Sequence, residues 1–91
     1  MNGKFIKKCY ERVLVSLKDN YTIHDIQILL EVGQPKATEV RNRCLEWCAL
    51  NDIEVFSKGV PAEAFHEVTN HRFTYEKFNN IYNEAKKLAL I

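Results

Sequence analysis

Gly33-Gln34-Pro35 separates two stretches that both read as helix, and this interruption most narrows what the chain can become. Upstream, Ile26, Leu29 and Leu30, joined by Ile23, put apolar side chains on one side of a helix. Thr22 and Asp25 are placed to open it, because a cap hydroxyl and a first-turn carboxylate satisfy orphan backbone amides. Downstream, Pro35 suits the first turn of a second helix, where its missing N–H costs nothing. Ala37, Val40, Cys44, Trp47 and Cys48 follow one buried stripe there, flanked by Leu45. Lys36, Thr38, Glu39, Arg41, Asn42 and Arg43 are left mostly toward solvent. A helix, a tight turn and a longer helix are therefore expected between Thr22 and Asp52.

The flanks are also helical in pattern. Phe5, Ile6, Cys9, Tyr10, Val13, Leu14 and Leu17 recur at three- and four-residue spacing, which predicts an amphipathic helix from about Lys4 to Leu17. Lys7, Lys8, Arg12 and Lys18 fall on its other face. Lys18-Asp19-Asn20 and Asn51-Asp52 are turn chemistry. Ile53 to Phe56 alternates loosely and runs into Ser57-Lys58-Gly59, which predicts a short strand, or wing, with its turn. Pro61 is expected to begin a helix holding Ala64, Phe65 and Val68. After Asn70-His71-Arg72, Thr74 is placed to cap a last helix. Its inward side is predicted as Phe78, Ile81, Tyr82, Ala85 and Leu88, with Ala89, Leu90 and Ile91 finishing the chain. The expected fold is mostly α: one domain over 1–91, with a helix-turn-helix core and short β wing at 22–68. Helices at 1–20 and 73–91 flank that core.

Composition removes several classes of function. With 91 residues, 46% of them hydrophobic, the chain can build one core without metal or disulfide staples. Thirteen basic against twelve acidic residues argue against a strongly basic nucleic-acid coat, though a local cationic stripe would still suffice for a sequence-specific reader. Three cysteines, an odd number, disfavour a disulfide framework and favour a reducing, cytoplasmic setting. No apolar run approaches the ~18 residues of a membrane span. Neither a glycine-rich phosphate loop nor a nucleophile elbow is present, so no catalysis and no cofactor are expected. Cys44 and Cys48 share a helix face, and His66 with His71 would in principle complete a zinc site. Both cysteines coincide with the buried stripe, however, and are better explained as small hydrophobes. His24, in the first turn of its helix, reads as a surface residue.

The central segment resembles the excisionase-type, winged helix-turn-helix DNA-binding proteins of phages and integrative elements. The resemblance rests on Thr22, Asp25-Ile26, Leu29-Leu30, Gly33-Gln34-Pro35-Lys36-Ala37, the Ile53–Phe56 stretch, and Val60-Pro61 with Phe65. It covers about half the chain, and the terminal helices lie outside it. Many members carry a glycine earlier in the turn, where this chain has Glu31 followed by Val32. An aromatic commonly follows the alanine of the second helix, where this chain has Thr38.

What the resemblance implies is a double-stranded DNA-binding protein that acts beside a recombinase or as a small repressor, without catalysis. By position, Gln34, Lys36, Thr38, Arg41, Asn42 and Arg43 would belong to a helix in the major groove, where Gln and Asn suit adenine and Arg and Lys suit guanine or phosphate. Lys58 at the wing tip would touch backbone or minor groove, and Lys7 and Lys8 would add phosphate contacts. The plain alternative is that these charges, interleaved with Glu39 and Glu46, only solvate an exposed face. Trp47 and Phe65 sit on apolar stripes and read as core anchors rather than base-stacking platforms. The terminal helices either complete the core or form a homodimer seam. The rival function is accordingly a protein–protein or oligomerising phage assembly module, such as the small subunit of a packaging motor.

Overall fold

The structure, a computed structural model, describes residues 3–56 and 58–88. In chain order its elements are α1 (Gly3–Ser16), β1 (Asn20–Tyr21), α2 (Ile23–Leu30), α3 (Gln34–Leu50), β2 (Val60–Pro61), α4 (Ala62–Val68) and α5 (Tyr75–Lys87). This is the mostly α architecture expected, with a helix-turn-helix and one small antiparallel sheet. Residues 89–91, expected to continue the last helical segment, and Ser57 of the expected turn lie outside the described residues.

The start of α2 shows how few atoms set an element boundary. The Thr22 hydroxyl accepts from the Asp25 amide at 3.2 Å, and the Asp25 carboxylate accepts from the Thr22 amide at 3.0 Å. This reciprocal box satisfies two amides that the first helical turn leaves open. Lys18 Nζ then donates to both carboxylate oxygens, at 3.0 and 3.2 Å, although Asp25 itself is only 3% exposed. Burial alone would raise the carboxyl's pKa. The Thr22 amide, the Lys18 ammonium and the Thr22 hydroxyl outweigh burial, and the pKa falls below the ordinary aspartate value.

A depressed folded pKa means that this carboxylate stabilises the fold above its unfolded pKa and stops doing so as pH falls through the folded value. Thermal melts of the wild type should therefore lose stability below about pH 4. Asp25→Asn should start about 1–2 kcal/mol lower at pH 7 and lose less on acidification. Identical acid profiles for the two proteins would remove Asp25 from this role.

The core joins the helix pair to the sheet. Tyr21, Ile26, Leu29, Ala37, Cys44 and Phe65 are buried in one cluster, with Trp47 and Leu45 half-buried beside it. In the sheet Asn20 stands opposite Pro61 and Tyr21 opposite Val60, and the Ala62 amide extends the pairing to the Asp19 carbonyl at 2.9 Å. Pro61 occupies the cap position of α4, one residue before the helix it was expected to begin. The Tyr21 ring meets Phe65 edge-on at 5.1 Å, and its hydroxyl donates to the Ser16 carbonyl at 2.8 Å.

Four expectations are corrected. Ile53–Phe56 is not a strand: it runs as irregular chain, with the Ile53 amide bonded back to the Cys48 carbonyl at 2.9 Å. The sheet is built instead from Asn20–Tyr21 and Val60–Pro61, at the two ends of the helix-turn-helix segment. Thr74 holds the cap position of α5, but its side chain accepts no capping bond. Leu88 is 64% exposed at the end of α5, not inward. Phe5, Tyr10 and Leu14 on α1 and Leu17 just after it belong to the expected stripe yet remain exposed, while Ile6, Cys9 and Val13 are buried.

The terminal helices pack on each other within the chain. Tyr10 of α1 stacks on Tyr82 of α5 with centroids 4.4 Å apart, and α1 also lies against α2. Arg12 fastens this junction. Its Nε donates to the Ile28 carbonyl at 3.2 Å, its guanidinium stands 3.4 Å from Glu31, and it covers the Phe78 ring at 4.7 Å. Among the described residues, no helix is long and apolar enough to cross a membrane.

Candidate nucleic-acid interface

The turn between α2 and α3 takes its shape from Glu31, which adopts the left-handed conformation at φ 53° and ψ 50° and ends α2. Gly33, by contrast, is extended at φ −76° and simply caps α3. The left-handed position thus coincides with the place where the resembled family commonly has glycine. A glutamate occupies it here, held from above by Arg12. Pro35 then falls in the first turn of α3, as its chemistry requires.

Along α3, Gln34, Thr38 and Asn42 succeed one another four residues apart and form one ridge. Gln34 and Asn42 are exposed and Thr38 half-buried. Arg41 borders the ridge and donates from Nε to the Lys58 carbonyl at 3.4 Å. That bond ties the loop after α3 to the helix and places exposed Lys58 beside it. Phe56, in the same loop, is 90% exposed. The Ile53–Phe56 alternation predicts a strand position for it, and no local pattern distinguishes a solvent-facing ring there from a packed one.

Lys36 and Arg43 do not share this ridge. At about 100° per residue they lie roughly half a turn around α3 from Gln34 and Thr38, and both line a depression on the other flank. Lys36 also pairs with Glu39 at 3.3 Å. Lys7 and Lys8 are exposed on α1, with Lys8 bordering a shallow hollow beside Gln27 and Glu31. The nine cationic and polar positions singled out from the sequence therefore divide into three groups. Gln34, Thr38, Arg41, Asn42 and Lys58 are together; Lys36 and Arg43 face another way; Lys7 and Lys8 stand on the terminal helix.

The cysteines and histidines hold no such arrangement. Cys9, Cys44 and Cys48 are buried free thiols. Burial, with Cys48 adding to it, pushes the Cys44 thiol up to about 11, so it stays protonated at neutral pH. His66 stacks on His71 at 5.8 Å, and burial followed by the neighbouring His71 lowers its pKa. Among the described residues, no three His, Cys, Asp or Glu side chains come together as metal ligands. Comparison with protein-family models, with curated proteins and with solved structures found no match to this chain.

Proposed function

We propose that this chain binds double-stranded DNA in a sequence-dependent manner, with the Gln34–Thr38–Asn42 ridge of α3 in the major groove and the Lys58 loop on the adjacent backbone. The observation that carries this is the Arg41–Lys58 bond, which holds loop and helix as one surface beside exposed amide side chains. Gln and Asn side chains on one ridge suit the donor and acceptor pair of adenine, while Lys58 supplies a phosphate contact. Glu39 and Glu46 on α3 limit the total attraction to phosphate, so few cations carry the non-specific term. Lys7 and Lys8 join in only where the duplex extends past α2. The roles that fit are those the resemblance implies, an accessory factor beside a recombinase or a small repressor.

Fluorescence anisotropy with a mixed-sequence duplex of about 25 base pairs, across a salt series, tests this. Binding should weaken as salt rises and should fall with Arg41→Ala. Once a preferred site is selected, Gln34→Ala or Asn42→Ala should flatten sequence preference, at about 1–3 kcal/mol per lost base contact. Lys7→Ala should instead weaken all sequences alike and lower the salt slope by about 1.

A second reading has one observation in its favour. Leu14 near the end of α1 and Leu17 just past it are 50% and 61% exposed. Self-association through the α1–α5 pair would cover them. Absence of duplex binding at low salt, together with a stable oligomer in sedimentation, would exchange the first reading for this one.

A further inference from the structure

The depression flanking α3 encloses about 480 Å³. That lies within the range of small-molecule sites, roughly 300–1,000 Å³. Five helices contribute to its wall: Arg12 from α1, Leu29 and Leu30 from α2, Lys36, Val40 and Arg43 from α3, Val68 from α4, and Phe78 from α5. The α4–α5 turn adds Thr69, Asn70, Arg72 and Phe73. A hollow walled by so many elements suits a molecule of limited size.

Its chemistry is divided. Leu29, Val40 and Phe73 are buried, and Phe73 stacks on half-buried Phe78 at 4.9 Å, so the floor is apolar. Four cations stand around that floor, and no carboxylate is among the lining residues. Two of the four are already engaged, Arg12 with Glu31 and Lys36 with Glu39. Arg43 and Arg72 make no ion pair among the described residues, and both are exposed at the rim. The shape of the turn is itself fixed, since Asn70 and His71 both take left-handed backbone at φ 54° and 56° and their amides are bonded to Glu67 and His66 carbonyls. Arg72 therefore leaves a rigid corner.

We propose that this cavity binds a small organic anion, an aromatic or compact aliphatic body carrying one carboxylate, sulfonate or phosphate, with the body on the Leu29–Val40–Phe73 floor and the anion between Arg43 and Arg72. Guanidinium groups suit such an anion because their planar N–H pairs match two oxygens at once. The inference is independent of DNA binding, since the ridge and Lys58 take no part in it.

The test uses 8-anilinonaphthalene-1-sulfonate as the probe and N-phenyl-1-naphthylamine, which lacks the sulfonate, as its neutral counterpart. Titration of the full chain, followed by probe fluorescence and by amide chemical shifts, should show saturable one-to-one binding of the anion. Shifts should concentrate at 29–43, 68–73 and 78. Arg43→Gln and Arg72→Gln, both at exposed positions, should each weaken the anion about tenfold and leave the neutral probe unchanged. Non-saturable binding, shifts centred elsewhere, or wild-type affinity for the anion in both variants would overturn the proposal. Equal affinity of the two probes for the wild type would overturn the anion's place in it.

Discussion

Phe65→Ala is expected to destabilise the protein by about 3–5 kcal/mol, the range for deleting a large ring from a packed core. Phe65 is fully buried. Its ring meets Tyr21 edge-on at 5.1 Å, with an interplanar angle of 82°, and His66 at 5.6 Å. It therefore lies where α4, the short sheet and the helix pair converge. Removing it takes away transfer energy, the aromatic edge contact, and the support behind Tyr21. Tyr21 cannot relax into the gap freely, because its hydroxyl is bonded to Ser16 and its backbone is paired with Val60. A domain of this size has only about 5–15 kcal/mol of net stability, so about a fifth or more of it would go. The melting temperature should fall by at least about 12 °C. Phe56→Ala is the matched control, since that ring is 90% exposed and its loss should stay within about 0.5 kcal/mol. A Phe65→Ala protein as stable as Phe56→Ala would mean that α4 does not seat on the sheet as described.

The difference between these two phenylalanines shows what local pattern carries. Ala64 and Phe65 stand four and three residues before Val68 on the helix that follows Pro61, so apolar spacing alone marks Phe65 as core. Phe56 sits in four alternating residues, and alternation is meaningful only when a partner strand exists. None pairs with it. The strands that do form are two residues each, too short for a period of two to register, and they join positions forty residues apart. Helix starts were more legible because their chemistry is local: Thr22 with Asp25, and Pro35 one residue into α3. The end of α2 was harder to place, because glutamate at Glu31 gives no sign of left-handed backbone.

The same limit governs the site. Helical geometry already places Gln34, Thr38 and Asn42 on one ridge and Lys36 with Arg43 on another flank. What lies against each flank is a tertiary fact. Arg72 and Phe73 face Arg43 across a cavity because the α4–α5 turn folds back there, and no spacing within 68–73 announces this. Likewise, the repeat of Tyr10, Leu14 and Leu17 shows an apolar stripe but not whether anything covers it.

Gly59→Ala should be the most damaging small substitution in the chain, and it connects stability to the proposed interface. A methyl group at Gly59 would stand 2.9 Å from the Tyr21 carbonyl oxygen, 3.0 Å from its carbon and 3.3 Å from the Thr22 nitrogen. All three are backbone atoms, and none can yield cheaply. Tyr21 is fixed by pairing with Val60 and by its buried ring, and Thr22 by its exchange with Asp25. The glycine is required for space, since its φ is not in the left-handed region. The loop must therefore retreat from β1, at a cost of about 2–3 kcal/mol in the upper part of the overpacking range. Retreat also displaces Lys58, the preceding residue, whose carbonyl receives the Arg41 bond. Below its lowered melting temperature, Gly59→Ala should consequently bind duplex more weakly than the wild type. Gly33→Ala provides the contrast, because a methyl group there meets only the Pro35 ring at an ordinary 3.7 Å. It should change stability by less than about 1 kcal/mol. Equal effects of the two substitutions would show that close approach of the loop to β1 does not set the position of Lys58.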